Sequence, residues 1–348
     1  MSRRLPWQWA AVVISRHLAR LFRVPWQRSV RRYCRCWRRL LKRASSTLSD
    51  DQLAYYGFLN INKPLGMTSH DVVARVRRLL RQAIGSKKVG HAGTLDPLAT
   101  GVLVVCVQQA TRLSDYAMHG TKQYRAEITL GISTETYDAE GDITAQVDAS
   151  AITLDQIMGV LPQFTGDIQQ LPPMYSAIKK EGKKLYELAR AGKTVELEAR
   201  PVTIHNVEVL DWQSPQLTVT VTCSPGTYIR SLAHDLGQAL GVGAYLSGLI
   251  RTRSGTFSLE NAVELDALMD DDKWQQHIIP PRIALADLPA IHTTADQWQE
   301  LVHGRYIERQ EDDPSERAFA YTPDGQLGAI LQQRGSHWKP NKVLLPQA

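Results

Sequence analysis

The chain has 348 residues, 43% of them hydrophobic, which is enough for one large domain plus a small one with a packed core. No apolar run approaches the roughly 18 to 20 residues that a membrane-spanning helix needs, and even WAAVVIS near the start is closed by Arg16, so such a span is excluded. The net charge of +6 excludes little, because residues 1–50 hold 13 Arg and Lys against the single acid Asp50 and the rest of the chain is net −6.

Charge is more informative locally. Between Lys63 and Arg125 there are 10 basic and 3 acidic residues, and between Glu260 and Ile330 there are 15 acidic and 5 basic, so a polyanionic partner is expected on the first region. Residues 1–50, rich in Arg and Trp and ending in the polar string ASSTLSDD, read as a basic extension and linker outside the folded core. Three accounts of this head stay open: an organellar transit peptide, an RNA-binding arm, or translated upstream sequence. Cys34 and Cys36 lie in it, while Cys106 and Cys223 sit inside strand-like runs. No CxxC pair or matching His spacing accompanies them, so no metal site is expected and the thiols fit a reducing compartment. The expected location is the cytoplasm, or an organelle if the head is a transit peptide.

The core is expected from GFLNINKPLGMTSHDVVARVRRLLRQAIG onward, with a strand through Phe58 to Ile61 and a turn at Lys63-Pro64. Thr68 or Ser69 should cap a helix whose apolar positions Val72, Val73, Val76, Leu79, Leu80 and Ala83 follow helical spacing, with Arg75, Arg78 and Arg81 on the other face. The valine run after Asp96 reads as a buried strand, and KQYRAEITLGIST alternates Tyr124, Ala126, Ile128 and Leu130 on one side of a half-buried one. VTIHNVEVL and LTVTVTC supply two more strands, and the second leads to a helix through GTYIRSLAHDLGQAL. Strands and helices mix without regular βαβ repetition, which favours a mixed α/β sheet over a doubly wound one. From about Pro281 the segments shorten and turn acidic. A hairpin around Asp324-Gly325 and a closing strand in KPNKVLLP predict a small β-rich domain over 281–348, after a main domain over 51–280.

One stretch, VGHAGTLDPLATGVLVV at 89–105, places a lone acid, Asp96, between glycines and a proline. Taken alone it describes an ordinary Asp-Pro turn entering a strand. It is accompanied in order by KPLGMTSHD, KQYRAEITLG, PPMYSAIKKEGKKLYELAR, RPVTIHNVEVL, SPGTYIRSLAHDLG and LIRTRSG. Together these resemble the motifs of the TruB family, the bacterial-type tRNA pseudouridine-55 synthases, over roughly residues 55–260. The resemblance implies a pseudouridine synthase core with a mixed, largely antiparallel sheet, and more faintly a PUA-like fold for the C-terminal domain. The implied reaction converts a uridine of the tRNA T-arm to pseudouridine. That reaction breaks the N1–C1′ bond, turns the uracil and joins C5 to C1′, with no redox step, cofactor, metal or guide RNA, and the expected enzyme is a monomer.

The chemistry needs an ionised carboxylate beside ribose and base, and Asp96 matches the family's aspartate. Arg230 in GTYIR matches the arginine that pairs with it, expected as a two-pronged contact that keeps the carboxylate charged inside a closed pocket. On spacing alone Arg230 is a solvated helix residue and Tyr124 a core aromatic; by resemblance Tyr124 stacks on the extruded uracil. Leu249 and Tyr228 resemble residues lining the pocket, with plain packing as the alternative. His91 matches the histidine inserted into the T-loop. Tyr175 and Lys179, with Lys180, Lys183 and Lys184, fall in an RNA-clamping insertion at about 172–200. Lys63 either braces the catalytic loop or reaches phosphate. Ile250 departs from the family, which commonly has arginine there, and this puts one phosphate or structural contact in doubt. Rival readings are an RNA-guided dyskerin-like subunit and an RNA-folding scaffold, a chaperone role that can also accompany catalysis. A glycoside hydrolase would need a second carboxylate in a motif, and none is evident.

Overall fold

The computed structural model describes residues 56–176, 179–180, 183–184, 197–284, 288–309 and 314–344. The basic head expected at 1–50 lies outside the described residues. Strand β1 (Gly57–Lys63) leads through the Pro64 turn to helix α1 (Ser69–Ile84). Of the two expected caps it is Thr68 that closes a capping box with Asp71, and Gly85 ends the helix in a left-handed conformation. The buried stripe is Val72, Val73, Val76 and Leu80. It continues one turn on at half-buried Ile84, whereas Ala83, expected on this face, is exposed because the stripe steps by four residues there.

The main sheet then grows from β2 (Val89–His91), β3 (Ala99–Val107), β4 (Lys122–Leu130), a side pair β5 (Ile132–Thr134) and β6 (Ile143–Gln146), and β7 (Gly166–Gln170). A short pair, β8 (Lys179–Lys180) and β9 (Lys183–Lys184), precedes the hairpin of β10 (Arg200–Gln213) and β11 (Gln216–Cys223). Helix α2 (Ile229–Ala239) runs into β12 (Ala244–Ser254), β13 (Phe257–Ser258), β14 (Val263–Glu264) and helix α3 (Leu265–Asp270). The spatial order is β14-β1-β3-β12-β4-β11-β10-β7. Only β14–β1 and β12–β3 pair in parallel along this path, so the sheet is mixed and largely antiparallel as expected.

The valine run of β3 is explained by burial on both faces. Leu103, Val105 and Val107 join Leu59, Ile61 and the α1 stripe in one core, while Val102, Val104 and Cys106 join Phe58 in a second. That second core also takes Phe319, Leu327 and Ile330 from a separate five-stranded sheet. The separate sheet comprises β15 (Ala290–His292), β16 (Ile307–Glu308), β17 (Arg317–Tyr321), β18 (Leu327–Arg334) and β19 (His337–Val343), with helix α4 (Ala295–Val302) between β15 and β16. The expected hairpin at Asp324-Gly325 joins β17 to β18, and the expected closing strand is β19. Arg112 donates to the carbonyl of Val343, and Lys342 donates to the carbonyl of Arg112, tying this sheet to the main one. Among the described residues no helix is long and apolar enough to cross a membrane.

Candidate active site

Asp96 sits in the loop between β2 and β3, and the fold holds that loop at nearly every residue around it. The Ser69 hydroxyl at the start of α1 donates to the carbonyl of Leu95 (3.0 Å) and accepts from the amide of Leu95 (2.8 Å). On the other side, Lys63 Nζ donates to the carbonyls of Met67 (2.6 Å), Pro64 (2.9 Å) and Pro97 (3.3 Å). Lys63 is fully buried, so of its two expected roles the geometry supports the brace and leaves no ammonium at the surface for phosphate. Burial pulls its pKa down to about 8, against the opposing pull of the Asp96 charge. The carbonyls of Gly93 and Thr94 accept from the guanidinium of Arg251 (3.1 and 3.4 Å), which also bonds the carbonyl of Val102 at 2.7 Å.

Arg251 was missed in the sequence, where attention fell on its neighbour Ile250. It is 1% exposed in β12, opposite Tyr124 of β4, whose phenol feels its charge. Little in the sequence signalled it, because Arg251 is followed by the polar Thr252, Arg253 and Ser254; only the fold shows it buried with its donors matched. Gly101 is needed at the same point. Its φ is +95°, and a Cβ there would stand 2.3 Å from the Arg251 carbonyl oxygen.

Arg230, the second residue of α2, is 6% exposed and not a solvated helix residue. Its Nη2 lies 3.0 Å from Asp96 Oδ2, so the expected pairing is present. The contact is not two-pronged, however. Nη1 turns instead to Oδ2 of Asp138 at 3.1 Å, and Nη2 also donates to the carbonyl of Tyr175 at 2.9 Å. The fork therefore spans two carboxylates, one buried and one partly exposed: the Asp138 side chain is 2% exposed and that of Asp96 is 41% exposed. Asp138 also was not anticipated. It lies in TETYDAEG, where the sequence shows only an acid among turn formers, and its carboxylate is otherwise bonded by the Thr136 hydroxyl and the amide of Glu140.

Packing pushes the Asp96 carboxyl above the usual carboxylate range. Arg230 opposes the rise most, Asp138 adds to it and Lys63 counters it. The arginine thus moderates the cost of desolvation without cancelling it, which is less than the full protection expected.

Tyr124 is 8% exposed, close enough to feel the charge of Asp96. Leu249 stands two residues before Arg251 on the same side of β12, paired with Ala99 just after the Asp96 loop and with Ala126 of β4. Tyr228 precedes α2, held by paired hydrogen bonds between its backbone and the Gln170 side chain. These three line one region with Asp96. Tyr175 contributes its carbonyl to Arg230, and its ring is half-buried. His91 ends β2, edge-on to His70 of α1 at 5.3 Å, and its Nδ1 is buried without a hydrogen-bond partner. Burial lowers its pKa, so it is neutral near pH 7. The backbones of Lys179, Lys180, Lys183 and Lys184 pair as β8 and β9, and their side chains lie outside the described residues. Among the described residues no group of three or more His, Cys, Asp or Glu is arranged to hold a metal ion.

Comparison with known proteins gives the site its context. The N-terminal domain model of the TruB family pseudouridylate synthases matches residues 81–229, and a tRNA pseudouridylate synthase B C-terminal domain model matches residues 230–286. The chain is 44% identical over 296 residues to a tRNA pseudouridine synthase B of Dehalococcoides mccartyi, covering 84% of this chain and 97% of the relative. It is 49% identical over 257 residues to one of Synechocystis sp., covering 72% and 85%. Among solved structures it resembles a chain of a Cbf5-Nop10-Gar1 complex, with TM-score 0.65, 28% identity, and coverage of 86% of this chain and 88% of that one. A chain of an H/ACA RNP bound to a substrate RNA containing 2′-deoxyuridine matches with TM-score 0.64 and 26% identity.

Proposed function

This chain belongs to the TruB family of pseudouridylate synthases, and we propose that it isomerises a uridine in the T-loop of tRNA, position 55, to pseudouridine as a stand-alone enzyme that needs no guide RNA. The observation that carries the reading is the Asp96–Arg230 ion pair, set on a loop fixed from β1, α1 and β12 beside the wall formed by Tyr124 and Leu249. Substrate and product are isomers. The N1–C1′ bond breaks, C5 bonds to C1′, the proton leaves C5 and N1 ends protonated, so electrons balance without an external reactant. The ionised Asp96 acts at the sugar, either adding to C1′ or removing a ribose proton as the base departs. Arg230 keeps that carboxylate aimed and opposes its protonation as the base fills the cavity.

The target base is reached by extrusion from the T-arm. Tyr124 offers the uracil a flat face to turn against without hydrogen bonds that would oppose its rotation. Exposed Arg78, Arg81, Lys87 and Lys88 provide positive charge for the phosphate backbone on the side where the sequence concentrates it. His91, neutral, aromatic and partly exposed, suits insertion into the loop from which the uridine departs.

The likeness to the Cbf5 and H/ACA structures favours a second reading, in which a guide RNA presents the substrate. One assay separates the two. The protein alone is incubated with an isolated T-arm RNA, and pseudouridine is mapped chemically. Conversion at the T-loop uridine without any other RNA is the expected result; conversion that appears only with an added guide would overturn the stand-alone reading.

A further inference from the structure

Tyr137 carries a feature outside the chemistry described so far. Its φ is +63°, in the left-handed region that bulky L residues rarely occupy, and it immediately precedes Asp138. A residue persists there only when its surroundings over-determine it. The surroundings are visible. The carbonyl of Tyr137 accepts from the amide of Leu246 in β12 at 3.0 Å, and the next amide but one, that of Ala139, donates back to the Leu246 carbonyl at 3.1 Å. The Tyr137 ring lies flat on the imidazole of His234, with centroids 3.8 Å apart and planes 15° from parallel.

His234 is on α2, one turn after Arg230 and on the same face. Besides the contacts of Arg230 itself, the loop bearing Asp138 is therefore attached to β12 through its backbone and to the arginine's own helix through the stack. Nothing in the His234 ring competes for the position: its Nδ1 is buried with no hydrogen-bond partner, so the imidazole acts here as a flat surface. Burial also lowers its pKa, which keeps it uncharged one turn from the guanidinium.

We propose that Tyr137 and His234 form a positioning clamp, whose stacked rings hold the Asp138 loop against α2 and so keep the Arg230 guanidinium shared between Asp138 and Asp96. Neither residue is a catalytic residue; both act through Asp138 and Arg230. With the stack removed, the loop keeps its backbone bonds to β12 and the contacts of Arg230 itself to Asp138 and the Thr136 carbonyl, and loses the ring packing that presses it on α2. The 3.1 Å contact to Asp138 then loosens, and Arg230 loses the buried carboxylate that sets the plane of its fork over Asp96.

The inference rests on the isomerase reading for its kinetic arm, and an activity-independent arm separates the two. The full chain carrying His234→Ala, His234→Phe, Asp138→Asn, or His234→Ala with Asp138→Asn is assayed for its single-turnover rate at saturating tRNA and for tRNA affinity. In parallel, the Asp96 carboxyl is titrated by NMR in carboxyl-labelled protein, its resonance identified by its loss in Asp96→Asn.

The clamp requires His234→Ala to lower the saturated rate by about tenfold, a fraction of the hundredfold that an ångström of misplacement can cost, with tRNA affinity unchanged. It requires the Asp96 titration midpoint to rise by about one pH unit as the arginine's hold weakens. His234→Phe, which keeps a stacking ring, restores both. In the Asp138→Asn background the alanine substitution adds less than about twofold, since its target is already gone. A lowered melting temperature with unmoved rate and midpoint, equal losses in both backgrounds, or failure of phenylalanine to rescue would each overturn the clamp and leave the stack as packing. Should the unmodified protein form no pseudouridine at all, the isomerase reading falls, and the Asp96 midpoint alone still decides the clamp.

Discussion

Replacing Arg251 by lysine tests whether the Asp96 loop is held by a buried guanidinium. The structure sets the scale. Arg251 makes hydrogen bonds to the carbonyls of Val102, Gly93 and Thr94 from a side chain 1% exposed. An ammonium keeps the charge but presents its donors from a single point, so it reaches the Val102 side or the Gly93–Thr94 side and not both. Hydrogen bonds to a charged group contribute about 1.5 to 3 kcal/mol each, and the two longer ones to the loop belong at the bottom of that range. Losing them costs about 3 kcal/mol of stability, a large part of the 5 to 15 kcal/mol typical of a domain yet short of unfolding it. The same loss frees Gly93 and Thr94, so the saturated single-turnover rate should fall by about a hundredfold, as expected for a catalytic group displaced by an ångström. Urea denaturation gives the first quantity and rapid-quench pseudouridine formation at saturating tRNA the second. A variant with wild-type stability and rate would refute the argument that this guanidinium organises the loop. A variant destabilised as expected but catalytically normal would confine Arg251 to packing.

Other expectations follow from the same geometry. Asp96→Asn should abolish single-turnover conversion while tRNA affinity, measured by filter binding, stays within about threefold, because the lost charge acts on the reacting ring and not on the backbone. Since burial holds the Asp96 pKa above the usual carboxylate range and the proposed reaction uses its ionised form, the rate should fall as pH falls, with a midpoint above 3.8; a midpoint at or below that value would contradict the site's electrostatics. Lys63 has its pKa lowered from 10.5 to about 8, so above pH 8 the unfolded chain binds the extra proton and folding stability gains with rising pH. Lys63→Met should therefore show a shallower rise in unfolding free energy between pH 8 and 9.5 than the parent chain. Deleting residues 1–50 removes 13 Arg and Lys and should leave the saturated rate intact. If the head is an RNA-binding arm, the truncated form binds tRNA with a shallower dependence of log affinity on log salt, each lost phosphate contact lowering the slope by up to about 0.9; equal slopes eliminate the arm.

What the sequence made legible and what it hid differ in physical kind. The strands around Tyr124, the α1 stripe and the hairpin at Asp324-Gly325 follow from local periodicity and turn chemistry, which a chain displays in order. Asp96 and Arg230 were recoverable because each lies in a distinctive motif, although nothing in either motif says that a 3.0 Å contact will join them across 134 positions of chain. Asp138 and Arg251 were hidden for a different reason. Each acts by where the sheet brings it, Asp138 through the bridge that seats its loop beside Leu246, and Arg251 through pairing with both β3 and β4. Their neighbours in sequence are a turn and a strand, and neither context advertises a charge network. Cross-strand register is the missing quantity, since a slip of one residue would turn Arg251 to the opposite face of the sheet. The two-carboxylate fork, and not a private pair with Asp96, is the consequence: a guanidinium this deeply buried needs a buried counter-charge to keep its desolvation tolerable, and Asp138 supplies it. Asp96 can then stay partly exposed, at 41%, as the proposed reaction at the sugar requires.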